Sequence, residues 1–335
     1  MRRKGRFALQ DVTHSRNQTS VKSNLFARLQ PVHLTIAMII VLGVALSLSN
    51  QHFLSAYNIN TIIGFGAILM IAALGQMFTI LIGGIDLSVG GIISFVSVLF
   101  VLLISDVGYW AFPICILAGL VLGLVNGLIL TIVKIPSFIA TLGTGGIITS
   151  LAYVVSPRPI SASPSDYAYF ELIDNKIFGI SNSFYVGMGV FFLTWAFLRY
   201  STTGRNIYYI GSNIRMSWMS GTDIIKTRCI AFMISGGCAA LVGIVISSIR
   251  YGGDPVVGTS YVLNSIAAVV VGGTALTGGS GGVVNVLFGA LFLSLLDNGM
   301  NVVGIDQYFQ QALLGAMIVF GVAVTFDRSK TPIIK

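Results

Sequence analysis

The chain is 335 residues long, 55% hydrophobic and only 9% charged, with a formal net charge of +8. Together with a mean hydropathy of +0.89, this excludes an ordinary soluble domain, where roughly a quarter of the residues are charged, and describes an all-α polytopic membrane protein. The basic residues gather between apolar runs, as positive-inside topology requires, so the charge does not point to nucleic acid.

Residues 1–31 form a polar arm carrying Arg2, Arg3, Lys4, Arg6, Arg16, Lys22 and Arg28 against the single acid Asp11. Such an arm stays in the cytosol. It is long for a signal peptide, although Ala45-Leu46-Ser47 has the form of a cleavage site. Residues 32–327 then make a transmembrane domain. Its apolar runs predict about ten transmembrane helices, near 32–48, 58–82, 87–104, 110–133, 136–155, 184–199, 227–247, 263–277, 283–304 and 308–326, most of them long enough for a hydrocarbon core. The eighth is short, and a re-entrant reading stands beside the spanning one.

Between the fifth and sixth runs, residues 156–183 carry Asp166, Glu171 and Asp174 against Arg158 and Lys176. Between the sixth and seventh, the loop 200–226 and its flanks carry Arg199, Arg205, Arg215, Lys226 and Arg228 against Asp223. A tail, 328–335, holds Arg328, Lys330 and Lys335. With the N-terminus inside, ten crossings put both termini and the basic loop in the cytosol and the acidic loop outside, in agreement with the charge bias.

The segment Gly83-Gly84-Ile85-Asp86-Leu87-Ser88-Val89-Gly90-Gly91 sets one carboxylate among small residues between two uncharged runs. Two readings follow. An ionisable group near membrane depth faces the bundle interior or a wet cavity, where it would orient a hairpin or a gate. Alternatively, Asp86 is a solvated loop carboxylate that caps the next helix.

Several activities have no residues to carry them. No Gly-x-x-x-x-Gly-Lys-Ser/Thr loop occurs, so ATP phosphates have no cradle here and energy must come from a partner or an ion gradient. The run Gly272 to Gly282 lacks the lysine and the dinucleotide spacing and reads as an inter-helical turn. His14, His33 and His52 lie in the arm and around the first span, and Cys115, Cys229 and Cys238 lie inside spans without paired spacing. No catalytic residue, metal site or cofactor is expected.

Five segments carry a family resemblance: Gly83 to Gly91, Lys134 to Thr144, Thr203-Gly204-Arg205-Asn206, Gly211-Ser212-Asn213, and Ala267 to Gly282. In order and spacing, over about residues 53–327, they resemble the permease subunits of bacterial ribose-type ABC sugar importers. The resemblance implies a permease dimer, homo- or heteromeric, in the inner membrane bilayer. It also implies two cytosolic ABC ATPase domains and a periplasmic sugar-binding protein that delivers a monosaccharide or similar solute. It further implies that Asn213 to Thr222 is the helix that docks on the ATPase, with Asn213, Arg215, Met216, Ser220 and Gly221 as its coupling residues. Arg215 and Met216 stand where the family has alanines, and Thr222 replaces an apolar residue. Gly221 is expected to close the helix with a positive φ. Asn285-Val286 replaces the family's Gly-Thr and is expected to loosen packing beside the glycine-rich turn.

Candidates for the solute path or its gate are Asp86, Ser88, Asn126, Thr141, Asn264, Asp297 and Asn298, with Thr144 beside them. Lipid penalises such groups and an aqueous channel does not. Their alternative role is interhelical hydrogen bonding, worth about 0.6 to 2 kcal/mol each. Two other functions share these features: a branched-chain amino-acid ABC permease, and an ion-coupled secondary transporter that uses Asp297.

Overall fold

The computed structural model describes residues 31–325; the rest of the basic arm, and the tail with Arg328, Lys330 and Lys335, lie outside the described residues. Helix α1 (Pro31–Ser49) leads to α2 (Ala56–Leu81), which starts where Ser55 Oγ accepts from the Asn58 N–H. Helices α3 (Val89–Val107) and α4 (Ala111–Leu128) are joined by one 3₁₀ turn, Gly108–Trp110, at the positive-φ Gly108 (57°). A π-helical turn, Ile129–Val133, extends α4 to Lys134. Pro136 disfavours helical geometry in the residue before it, and α5 (Ser137–Val155) starts immediately after.

The next segment holds β1 (Ile160–Ser161), α6 (Tyr167–Asp174), β2 (Lys176–Ile177) and β3 (Ile180–Ser181). Then come α7 (Asn182–Tyr200), α8 (Thr202–Ser212), α9 (Ile214–Met219) and α10 (Ile224–Arg250). The chain continues through β4 (Gly252–Gly253), α11 (Thr259–Val271), α12 (Val283–Val303) and α13 (Gln307–Thr325). Strand β1 pairs antiparallel with β4, and β2 with β3. The second pair turns through Phe178 and Gly179 at φ 52° and 79°, the backbone of a twist-matched two-residue hairpin.

Among the described residues, six helical stretches are long and apolar enough to cross a membrane, by length and composition, and one of them, Val89–Val133, holds both α3 and α4. Each apolar run read from the sequence falls on a helix. The largest shift is in the eighth, expected near 263–277. Its helix α11 is Thr259–Val271, thirteen residues that rise only about 20 Å. Irregular residues 254–258 precede it. The loop expected at 200–226 is itself largely helical, as α8 and α9.

Two similar units run in opposite directions. Helix α10 begins at the cavity where α2 ends, since Ile82 and Ile224 line the same space, so the two central helices are antiparallel. Helix α2 packs on α11 and α12 as α10 packs on α3 and α4, and α3 meets α5 as α11 meets α13. Each central helix is followed by a glycine pair and an aspartate. Asp86 Oδ1 accepts from the Ser88 N–H at 2.9 Å, and Asp254 Oδ1 accepts from the Val256 N–H at 2.9 Å. Four residues past each aspartate, Gly90 and Gly258 touch: a β-carbon on Gly90 would stand 2.8 Å from the Gly258 carbonyl oxygen. The Gly258 N–H donates to Ser94 Oγ at 2.9 Å.

The glycine-rich turn is tightly packed. Asn285 does not loosen it, because close approach is carried by glycines facing it: a β-carbon on Gly272 would collide with the Asn285 carbonyl, and one on Gly289 with that of Ala268. On α4, Gly119, Gly123 and Gly127 line the face against α10, the small-residue stripe that lets membrane helices meet closely.

Candidate functional site

The glycine-rich hairpin between α2 and α3 is held by four helices through a polar knot. Asp86 and Ser88 are fully buried, which removes the reading of Asp86 as a solvated loop carboxylate. Its Oδ1 accepts from the Ser88 N–H and from Ser88 Oγ at 2.6 Å, and its Oδ2 accepts from Ser235 Oγ of α10 at 2.8 Å. Asn126 Nδ2 of α4 donates to Ser88 Oγ at 2.7 Å. The Gln76 amide of α2, in the orientation that satisfies both its atoms, donates to the Asp86 carbonyl at 2.9 Å and accepts from the Asp86 N–H at 3.1 Å. From α5, Ser137 Oγ accepts from the Ile85 N–H and Thr141 Oγ1 from the Leu87 N–H, both at 2.9 Å. The irregular backbone that a hairpin exposes is thereby satisfied inside protein, the condition under which it can exist at membrane depth.

Below the knot lies a cavity of about 980 Å³ lined by Gly83 to Ile85, Lys134 to Phe138, Trp218, Thr222 to Ile225 and Arg228. It places the hairpin and the α9–α10 corner on facing walls. Asn213 both ends α8 and caps α9, its Oδ1 accepting from the Met216 N–H at 3.1 Å. At the other end Gly221 has φ 78°, and the Thr222 N–H returns to the Ser217 carbonyl at 3.0 Å. This is the paired closure that a positive-φ residue makes possible. Ser220 Oγ donates to the Met216 carbonyl at 2.9 Å. Arg215, Met216, Trp218 and Met219 are exposed, so α9 presents a mostly apolar surface.

Helix α8, the end of α2 and the glycine-rich turn meet at one joint. The Gly279 N–H donates to the Leu81 carbonyl at 2.9 Å, and the Tyr208 hydroxyl to the Gly281 carbonyl at 3.1 Å. Burial pushes the Tyr208 phenol above its ordinary range, so it remains a donor at neutral pH. Gly211 is wedged between Leu81 and Gly279, where a β-carbon would collide with main-chain atoms of both.

The remaining candidates separate. Asn264 and Asp297 line a second cavity, of about 540 Å³, between α2, α11, α12 and α13. Asn298 instead exchanges amide hydrogen bonds with Asn58 at 3.1 and 2.8 Å, a clamp between α12 and α2. Thr144 Oγ1 donates back to the Thr141 carbonyl at 3.4 Å. Sequence reasoning missed Gln76, Ser137 and Ser235. Gln76 was findable, as an amide inside an apolar run; nothing local marks Ser235.

Comparisons with known proteins identify the family. The family described as branched-chain amino acid transport system / permease component matches residues 58–322. The ribose import permease protein RbsC of Haemophilus influenzae is 35% identical over 297 residues, covering 87% of this chain and 91% of that protein. RbsC of Bacillus subtilis is 34% identical with the same coverage, and the D-allose transport system permease protein AlsC of Escherichia coli is 29% identical over 85% of this chain and 88% of its own length. No solved structure matches. A buried hairpin of irregular backbone inside an apolar helical bundle, a family match over most of the chain and relatives aligned nearly end to end have one reading: the chain belongs to the permease-component family of ABC transporters, as a multi-pass inner-membrane subunit that leaves ATP hydrolysis to a separate one.

Proposed function

We propose that this permease carries a monosaccharide or sugar-like solute inward, as one half of a permease dimer served by a periplasmic sugar-binding protein and two cytosolic ATPase domains. The observation that supports it is the alignment, over 87% of the chain, with proteins named as ribose import permeases. The family description names branched-chain amino acid transport, but the RbsC and AlsC relatives, at 29 to 35% identity, are named for ribose and allose. Uptake of labelled D-ribose and D-allose into proteoliposomes, with the ATPase and loaded binding protein present, tests the reading. Transport that stops without ATP and survives collapse of the proton gradient supports it. Uptake of L-leucine alone, or uptake driven by the gradient through Asp297, overturns it.

In this reading, α1, α2, α3, α4, α5, α7, α10, α11, α12 and α13 are the ten crossings. Both termini and the α8–α9 segment lie in the cytosol, and β1 to β3 lie outside. Ser163 and Ser212 are both exposed, so single Ser163→Cys and Ser212→Cys variants report sidedness. An impermeant thiol reagent applied from outside is expected to label only Ser163→Cys; equal labelling of both overturns the arrangement.

The exposed apolar surface of α9 is the proposed seat of the ATPase. Gly221→Val is expected to uncouple the transporter. No atom lies within 4 Å of an added β-carbon there, so the cost is the backbone's alone, about 1 to 2 kcal/mol. That is too little to unfold the bundle but enough to displace a docking helix. Arg215→Ala and Met216→Ala restore the small residues of the family pattern, and are expected to weaken association with the cognate ATPase while improving it with a related one. Co-purification and solute-stimulated ATP hydrolysis measure both. Variants that assemble and hydrolyse like the parent with either ATPase would show that α9 does not couple.

A further inference from the structure

Among the described residues, polar side chains on the apolar helices are, with few exceptions, satisfied locally. On α5, Thr149 Oγ1 and Ser150 Oγ donate to carbonyls one turn back, both at 2.9 Å. The cavity of about 540 Å³ is different. Asn264 of α11, Asp297 of α12 and Gln311 of α13 line it with Tyr261 and Phe65. Among the described residues, the side chains of Asn264, Asp297, Gln311 and Tyr261 make no hydrogen bond. Asp297 and Gln311 are also exposed, on helices whose other exposed residues include Val284 and Val303 of α12 and Val319 of α13. Facing lipid, a carboxylate and two amides without partners would each cost free energy; facing water or a hydroxylated solute, they would not.

A second cavity, of about 270 Å³, continues from the first. It is lined by Tyr57, Asn60, Asp174, Lys176 and Arg250, and it shares Phe65 and Tyr261 with its neighbour. Asp174 and Lys176 belong to the segment of α6 and β2, so this smaller space lies toward the end of the molecule that carries the strands. The two spaces are neighbours, and Phe65 and Tyr261 border both.

We propose that the larger cavity is a transit site for a neutral polyhydroxylated solute: Asn264, Asp297 and Gln311 hydrogen-bond its hydroxyls, and Tyr261 against Phe65 gates its entry from the smaller vestibule. The proposal rests on the reading of the chain as a permease and narrows the solute class. The larger cavity has room for a small molecule, within the roughly 300 to 1,000 Å³ usual for such sites. Its lining contains no lysine or arginine, so the carboxylate of an amino acid would meet Asp297 with no cation to pair it. Amides, a carboxylate and a phenol offer the mixed donors and acceptors that sugar hydroxyls need, beside aromatic surface for the apolar faces of the ring.

The test uses the full transporter with its ATPase and binding protein in proteoliposomes. Native Cys115, Cys229 and Cys238 are buried, which keeps background labelling low. Asn264→Cys and Asp297→Cys are expected to react with a charged thiosulfonate about tenfold faster than Leu117→Cys and Leu193→Cys on exposed apolar faces of α4 and α7, since the charged reagent reaches thiols through water and not through lipid. Labelling Asn264→Cys after assembly, when folding is no longer in question, is expected to cut uptake of D-ribose or D-allose about tenfold while ATP hydrolysis stimulated by the loaded binding protein stays within about twofold. Adding Tyr261→Ala is expected to speed labelling of Asn264→Cys from outside, because the gate residue is gone. Labelling no faster than at the lipid-facing controls overturns the proposal, as does unchanged uptake after complete labelling of Asn264→Cys. A parent protein that takes up neither sugar overturns the sugar reading itself, and the labelling rates then still decide whether the cavity is wet.

Discussion

Asp86→Leu is expected to cost the folded permease about 4 kcal/mol, because it strands several buried donors at once, each at about 1 to 3 kcal/mol. The Ser88 N–H, Ser88 Oγ and Ser235 Oγ all point at the carboxylate, and leucine accepts from none of them. Asn126 then donates to a hydroxyl that has itself lost its acceptor. The loss should appear as a lower unfolding temperature in detergent and less protein in the membrane. Asp86→Asn separates geometry from charge: it keeps one oxygen toward Ser88, and Ser235 Oγ can turn to accept from the new amide, so about 1 kcal/mol is expected. Uptake by Asp86→Asn should fall further than its membrane level if the hairpin moves during transport. Equal stability of the leucine and asparagine variants would mean that these contacts do not hold the hairpin.

Gly211→Val is expected to be the second severe change, and for a different reason. The obstacle is main chain: the added β-carbon overlaps the Leu81 carbonyl and the Gly279 nitrogen, neither of which can take another rotamer. Overpacking of this kind costs about 1 to 3 kcal/mol, sometimes more, and here it separates α8 from the end of α2 and the glycine-rich turn. The joint between α8 and the hairpin would open while the rest of the bundle stays packed. Reconstituted protein should bind the ATPase poorly and show little stimulated hydrolysis. Gly143→Val in α5 is the control, since no atom lies within 4 Å of a β-carbon there. Full coupling in Gly211→Val would show that this contact transmits nothing.

Much of this was legible in residue order. Apolar runs located the helices because a span must satisfy its own backbone and present apolar side chains. The anomaly of Asp86 between uncharged runs marked the hairpin, and Gly221 after a short polar-capped segment marked a helix end. What the sequence hid was mostly partnership across distance. Asn126, Thr141 and Asp86 are polar residues of the same kind as Asn264 and Asp297, yet the first three are bonded into a knot and the last two line a cavity; only the packing of α4, α5, α11 and α12 distinguishes them. The kinship of the two aspartate turns was hidden by offset. Asp86 follows its glycine pair after one intervening residue, and Asp254 follows its pair directly, so the two segments do not align by inspection. The shortness of α11 was masked by Thr274 to Thr277, which continue an apolar run without continuing a helix.

The touch of Gly90 on Gly258 bears on how this chain can drift over generations. At Gly299 the neighbour of an added β-carbon is the Leu46 side chain, so a larger residue there has a second-site suppressor, a trimmed partner. At Gly258 the neighbour is the carbonyl of Gly90, and at Gly90 it includes the carbonyl of Gly258. A carbonyl is present whatever residue is encoded. Neither position can be relieved by changing the other, and the crossing of the two inverted units is therefore held by a pair of residues that cannot covary.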